Sequence, residues 1–173
     1  MFSKFIDSLE LNSVTLVGHS FGGGIALNLA PINDRVSKLI LIDSAGLSPN
    51  YFDSKFVYLL TLKTVRSFFL SRNKLLSLLI LGDFLREVFK KFFSIPKVWN
   101  IVRKSIFHDA KTFEKIKQPT YIFWGNSDEI FSSQLAHKMA QLIGNSTLKF
   151  IDGNHDWLLL MPHDFYELVS EVV

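Results

Sequence analysis

The pentapeptide Gly18-His19-Ser20-Phe21-Gly22 sets one hydroxyl between two glycines, directly after the apolar, β-branched run Val14-Thr15-Leu16-Val17. A serine hydroxyl is hardly ionised near neutral pH and attacks a carbonyl only when a neighbouring base takes its proton. The pattern G-x-S-x-G matters when it falls on a sharp strand-to-helix turn, which strains the serine backbone and projects the hydroxyl outward. Rival uses of the glycines do not fit. A dinucleotide fingerprint starting at Gly22 would need glycine where Leu27 stands, and a phosphate loop needs lysine after its last glycine, which neither Gly23 nor Gly24 provides. No cofactor motif is left, and no cofactor is expected. The tight turn explains the flanking glycines if side chains at Gly18 and Gly22 would collide across it. The helix that follows would aim its positive end, with the Phe21 N–H, at a developing oxyanion.

The elements that must position this serine are legible in the hydrophobic periodicity. A first helix is expected at about 2–9, with Phe2, Phe5, Ile6 and Leu9 on one stripe. A strand at 13–18 and a helix at 21–30, ended by Pro31, frame Ser20. A second strand is expected at 36–42. After Pro49 the pattern changes to Phe/Leu/Lys segments at helical spacing, roughly 51–70, 72–93 and 96–108. From Gln118-Pro119 the strand–helix rhythm returns, with strands at 120–124 and 147–151, a helix at 132–143 and a last helix from about 162. Alternating strands and helices imply an α/β fold with a mostly parallel sheet covered on both faces. The expected domains are therefore a core of 1–46 and 118–173, with 47–117 as an inserted helical cap.

Charge separates the same two regions. Residues 46–112 hold 12 Lys/Arg against 4 Asp/Glu, a net of +8, while the remainder holds 7 against 12, a net of −5. A solvated Lys/Arg face accounts for the basic segment, although contact with a membrane surface or an anionic substrate would use the same charges. Its phenylalanines, Phe52, Phe56 and Phe92 among them, would form the cap's own core or line an apolar pocket. Nothing resembles a nucleic-acid-binding motif. No metal-ligand cluster stands out, and the chain has no cysteine, which agrees with a cytoplasmic protein. The N-terminus lacks a signal peptide's apolar core, and the longest apolar run, Leu75 to Leu81, is too short to span a bilayer.

Ligands of an open parallel sheet bind beyond the carboxyl ends of its strands. Ser20 stands after the first strand, Asp43 after the second, Asp128 in Gly125-Asn126-Ser127-Asp128 after the third, and His155 in Gly153-Asn154-His155 after the fourth. Serine, acid and histidine thus follow one another in that order, each on a loop at one edge. Each has a bland alternative. Ser20 could be a small turn residue, Asp128 a helix cap, Asp43 a structural strand-end carboxylate and His155 a turn histidine. His19 is expected to be structural or pocket-lining, Asp156 a turn or capping residue, and His108, His137 and His163 surface or capping residues.

The stretches LVGHSFGGGIAL, FWGNSDEIF and IDGNHDWLLLMP resemble the three motif regions of the α/β-hydrolase-fold superfamily, in its serine hydrolase branch. That resemblance implies Ser20 as nucleophile, His155 as general base and Asp128 as the acid that orients the imidazole, with Asp43 the alternative acid. It implies hydrolysis of an ester, thioester or related acyl bond of a small, apolar substrate through an acyl-enzyme. Family members carry further strands before the elbow and a loop supplying a second oxyanion donor. This chain has room for only a helix before Val14, so it is expected to be either the C-terminal portion of a longer or split protein, with a missing segment supplying the N-terminal complement, or a degraded homologue. A ligand-binding or scaffold role without turnover, and lyase or cofactor-free oxygenase chemistry on the same triad, remain open alternatives.

Overall fold

In the computed structural model of the chain, the described residues are 2–47 and 106–173, together with Leu62, Gly82, Arg86, Lys90 and Lys104. The chain divides into two compact units, one made of residues 1–49 and 105–173 and the other of residues 50–104. The segments expected as cap helices over 51–70, 72–93 and 96–108 lie almost wholly outside the described residues. Residues 105–117, expected within the cap, group with the first unit instead.

That unit is built on four parallel strands, β1 (Val14–His19), β2 (Val36–Ile42), β3 (Thr120–Gly125) and β4 (Ser146–Ile151), in the spatial order β1-β2-β3-β4. The register sets Leu16 opposite Leu39, Leu41 opposite Ile122, and Ile122 opposite Leu148. β2 carries four consecutive residues, Leu39 to Ile42, at 0% exposure. Successive strand side chains point to opposite faces, so such a run requires cover on both. Ile40, Ile42 and Phe123 join one buried cluster with Trp157 of α5 (Trp157–Leu160) and Leu168 of α6 (Pro162–Ser170). Helices α2 (Phe21–Leu29) and α4 (Ser133–Leu142) pack on the sheet as well. Ala136, Met139 and Ile143, spaced three and four apart along α4 and its cap, are all buried. Among the described strands β1 pairs with β2 alone, and its Val17 is 48% exposed.

Helix α2, with the sequence FGGGIALNL, is intrinsically a poor helix. Its three glycines cost about 3 kcal/mol relative to alanine. Burial of Leu27 and Leu29, at roughly 1.5–3 kcal/mol per side chain, offsets that cost. The glycines are there for proximity. A Cβ on Gly23 would lie 1.9 Å from the Ser44 Oγ, and one on Gly24 would lie 2.6 Å from the Ile106 carbonyl oxygen. Pro31 then turns the chain within a 3-10 segment, Ala30–Ile32, and ends the helix as expected.

Three expectations need adjustment. Helix α1 (Phe2–Ser8) forms where expected, but of its apolar stripe only Ile6 is buried, while Phe2, Phe5 and Leu9 are at least half exposed. Polar contacts hold this short helix, with Asn33 donating to Ser3 Oγ at 2.9 Å and Arg35 pairing with Asp7 at 3.6 Å. A short helix α3 (Ala110–Glu114) was not foreseen. Its cue was the Asp109–Thr112 spacing, since Asp109 accepts from the Thr112 N–H at 3.1 Å and caps the turn that buries Phe113. His108 is half-buried rather than exposed, and its Nε2–H donates to the Gly24 carbonyl at 2.8 Å, tying this segment to α2.

The crowding at α2 yields a paired prediction. Gly24→Ala should destabilise the fold by about 1–3 kcal/mol, because the methyl meets Ile106 backbone that cannot swing aside. Gly22→Ala meets nothing within 4 Å among the described residues and should be neutral or stabilising by up to about 1 kcal/mol. Urea unfolding of the two variants beside the wild type measures both. Equal losses would refute the packing explanation.

Candidate active site

Ser20 sits between β1 and α2 with φ 51° and ψ −119°, a left-handed conformation that a residue with a side chain rarely adopts. Its neighbours over-determine it. The Ser20 N–H donates to the Ile42 carbonyl at 3.0 Å, and its own carbonyl accepts from Ala45 N–H at 2.9 Å and Gly23 N–H at 3.1 Å. Both ends of the strained peptide are thus tied to the neighbouring strand, its exit loop or the first turn of α2. A Cβ at Gly18 would lie 2.6 Å from the Gly23 Cα, so Gly18 is sterically required. Gly22 meets nothing within 4 Å among the described residues, contrary to the expected collision. The tight packing partners of the turn are Gly18, Gly23 and Gly24, because the helix advances past Gly22 before it closes on its neighbours.

Each strand delivers its exit loop to the same sheet edge, and three expected side chains meet there. The Ser20 hydroxyl donates to His155 Nε2 at 2.9 Å, and His155 Nδ1–H donates to Asp128 Oδ2 at 2.8 Å. Asp128 Oδ1 accepts from the Ile130 and Phe131 N–H groups at 2.7 and 3.0 Å, which fixes the carboxylate from behind. The Asp128 side chain is 0% exposed and that of His155 is 6% exposed. Charge inside such a site is poorly screened, so the Asp128 carboxylate favours an Nδ1-protonated imidazole and leaves Nε2 free to accept. The cap-type role considered for Asp128 coexists with this bond, since its two oxygens serve separate partners.

The remaining loop residues sort out around that line. His19 Nε2–H donates to the His155 carbonyl at 2.9 Å, and the two rings lie 5.0 Å apart. His19 therefore acts structurally, steadying the loop that carries His155. Phe131 meets the His155 ring edge-on at 5.6 Å. Asp156 begins the turn into α5, its carbonyl accepting from the Leu159 and Leu160 N–H groups. His163 is exposed, whereas the ring of His137 packs beside Phe150.

Asp43 does not reach the imidazole by a hydrogen bond. It follows β2 with φ 42°, is fully buried, and its Oδ1 accepts from the Gly125 N–H at 2.7 Å. Among the described residues its Oδ2 has no partner within hydrogen-bond geometry, and the buried indole N–H of Trp157 lies beside the carboxyl. Burial pushes the Asp43 carboxyl up to about 8, the Gly125 N–H opposes the shift, and the neighbouring Asp128 adds to it. Oxygen and nitrogen atoms of Asp43, Asp128 and His155 lie within 4.8 Å of one another, as do those of His19, His155 and Asp156. In the first group His155 Nδ1 and Asp128 Oδ2 already bond to each other. Among the described residues, no helix is long and apolar enough to cross a membrane.

Comparison with known proteins agrees with the fold. The profile of the Alpha/beta hydrolase family matches residues 2–168. The chain is 54% identical over 44 residues to a 2-hydroxymuconate semialdehyde hydrolase of Pseudomonas sp. (strain CF600), a match covering 25% of this chain and 16% of the relative. Over 98% of its length it is 25% identical to the dihydrolipoyllysine-residue acetyltransferase component of the acetoin cleaving system of Cupriavidus necator, covering 48% of that protein. The chain thus spans less than half the length of these two relatives. Among solved structures it is similar in fold to a serine hydrolase involved in carbazole degradation, with a TM-score of 0.76 and 23% identity, covering 98% of this chain and 67% of that one. With its profile match running through the whole sheet and every loop of the site, the chain belongs to the Alpha/beta hydrolase family.

Proposed function

We propose that the chain carries the active site of a serine hydrolase that cleaves an ester, thioester or related acyl bond of a small, apolar substrate. The observation that supports this most is the unbroken line of hydrogen bonds from Ser20 Oγ through His155 to Asp128, at 2.9 and 2.8 Å. In the proposed reaction His155 Nε2 takes the Ser20 proton as Oγ attacks the substrate carbonyl. Asp128 stabilises the imidazolium that forms. The Phe21 N–H, at the positive end of α2, receives the developing oxyanion. His155 then returns the proton to the leaving group, and a water activated by the same imidazole releases the acyl group from Ser20. The curated relative with 54% identity is by name a 2-hydroxymuconate semialdehyde hydrolase, so that compound belongs beside short-chain esters in a substrate panel.

Serine as the nucleophile disfavours dehalogenase and epoxide-hydrolase chemistry, which in this superfamily starts from aspartate. A fluorophosphonate probe should label the chain at Ser20, and Ser20→Ala should abolish the labelling. Labelling that survives the substitution refutes the assignment. If the wild-type chain neither takes up the probe nor turns over any ester, a ligand-binding or scaffold role for the same fold is the reading that stands.

Asp128→Asn tests the orienting role separately. An amide in this position can present its NH2 group to Nδ1 and favour the wrong tautomer, with Nε2 protonated. It should lower the labelling and turnover rates by about 10³–10⁴-fold with little change in KM. A decrease below tenfold would move the acid's role elsewhere.

A further inference from the structure

The loop after β2 holds a second carboxyl that the proposed reaction does not use. Asp43 is fully buried in a left-handed backbone conformation at the end of β2, and it lies against Asp128 and His155. Two carboxylates facing each other away from water cannot both be ionised without a large electrostatic cost, so such a pair holds a proton in common. The hydrogen bonds indicate where that proton sits. Three N–H groups, those of Ile130, Phe131 and His155, converge on Asp128, whereas Asp43 has the Gly125 N–H at 2.7 Å and, more weakly, the Trp157 indole N–H beside it. The buried oxygen without a hydrogen-bond partner is Asp43 Oδ2. A proton on Oδ2 converts that orphan acceptor into a donor, and the acceptor available to it is the Asp128 carboxylate.

We propose that Asp43 is a positioning residue: its buried carboxyl remains a neutral acid at physiological pH, and its Oδ2–H donates a hydrogen bond to the Asp128 carboxylate. The consequences are geometric and electrostatic. The extra donor holds the Asp128 carboxylate, so it keeps its alignment with Nδ1. The neutral form also limits the site to one negative charge behind the imidazole. A second charge there would strengthen the hold of His155 on its proton and withdraw the free base that Ser20 needs. The groups that face Asp43 are Asp128 from the loop after β3, His155 from the loop after β4, and the uncharged indole of Trp157 from α5. His19, at the end of β1, bonds the His155 carbonyl at 2.9 Å, and its ring lies 5.0 Å from that of His155.

The direction of the Asp43 ionisation sets the sign of the pH dependence. In the folded chain the carboxyl holds its proton to about pH 8, while the unfolded chain releases it near the ordinary carboxylate value of 3.8. Between these limits the folded state binds more protons, so this group's contribution to stability falls as pH rises. Asp43→Asn replaces the acid by a neutral amide that can still accept from Gly125 and donate to Asp128, and it removes the titration.

The positioning role rests on the hydrolase reading, but the protonation does not, and it can be read without any turnover. The test is an infrared pH titration of the full chain, following the carbonyl band of a protonated carboxylic acid. The band should persist at pH 7, vanish around pH 8, and be absent at pH 7 from Asp43→Asn. In Asp128→Asn, which removes the facing charge, its loss should move to lower pH. Relative to wild type, Asp43→Asn should gain stability steadily from pH 5 to pH 8. In fluorophosphonate labelling, Asp43→Asn should stay within about threefold of wild type at pH 7 and lose the inflection above neutrality, whereas Asp43→Ala should be slower by about tenfold or more. A wild-type chain with no protonated carboxyl at pH 7 overturns the proposal, whether or not the variants fold. A band without labelling refutes the hydrolase reading and leaves the neutral acid standing. Labelling with identical pH profiles in wild type and Asp43→Asn refutes the positioning role.

Discussion

Between β1 and α2 the backbone comes so close to itself that a single methyl group has no place at Gly18, where a Cβ would lie 2.6 Å from the Gly23 Cα. That contact forces the chain to reverse within one residue, and Ser20 accepts the strain of φ 51° to make it possible. The strain persists because the peptide on either side of Ser20 is hydrogen-bonded to Ile42, Ala45 and Gly23. Loss of the neighbouring strand would release the turn, so β2 is as much a part of the site as the serine itself. The same proximity explains a glycine-rich helix whose intrinsic propensity is unfavourable.

Parallel pairing does the rest of the positioning. With four strands running in one direction, every exit loop arrives at one edge, and residues separated by more than a hundred positions meet within hydrogen-bond distance. Asp43 follows the last residue of β2 directly, whereas Asp128 and His155 stand further along the loops that leave β3 and β4. The polar groups then arrange themselves by local supply of N–H donors. Asp128, with two backbone amides and an imidazole, is the better place for a negative charge than Asp43, with one amide.

Much of this was legible in the sequence where a pattern has a short-range cause. Alternation of strands with helices, the run Val36 to Ile42 and the glycine-serine turn each depend on residues near one another in the chain. The positions of Asp43, Asp128 and His155 after three successive strands were also readable, because a parallel sheet sends all such loops to one edge. What could not be read was contact. Gly22 and Gly23 look interchangeable in FGGGIAL, yet the open one is Gly22 and the one pressed on Ser44 is Gly23. Phe2 and Phe5 look as core-like as Ile6, but only Ile6 reaches the interior. His108 matches no motif, and its bond to Gly24 spans 84 positions.

The sequence by itself determined the parallel α/β architecture and which side chains stand at the ends of the strands, since these follow from periodicity, turn chemistry and order along the chain, and its three motif stretches carried the family resemblance. The tertiary structure decided how two equivalent-looking aspartates divide their work. Asp128 bonds the imidazole, and Asp43 turns to the Gly125 amide with one oxygen left over. That choice depends on burial and on which backbone N–H groups point inward, quantities that exist only once the strands are side by side.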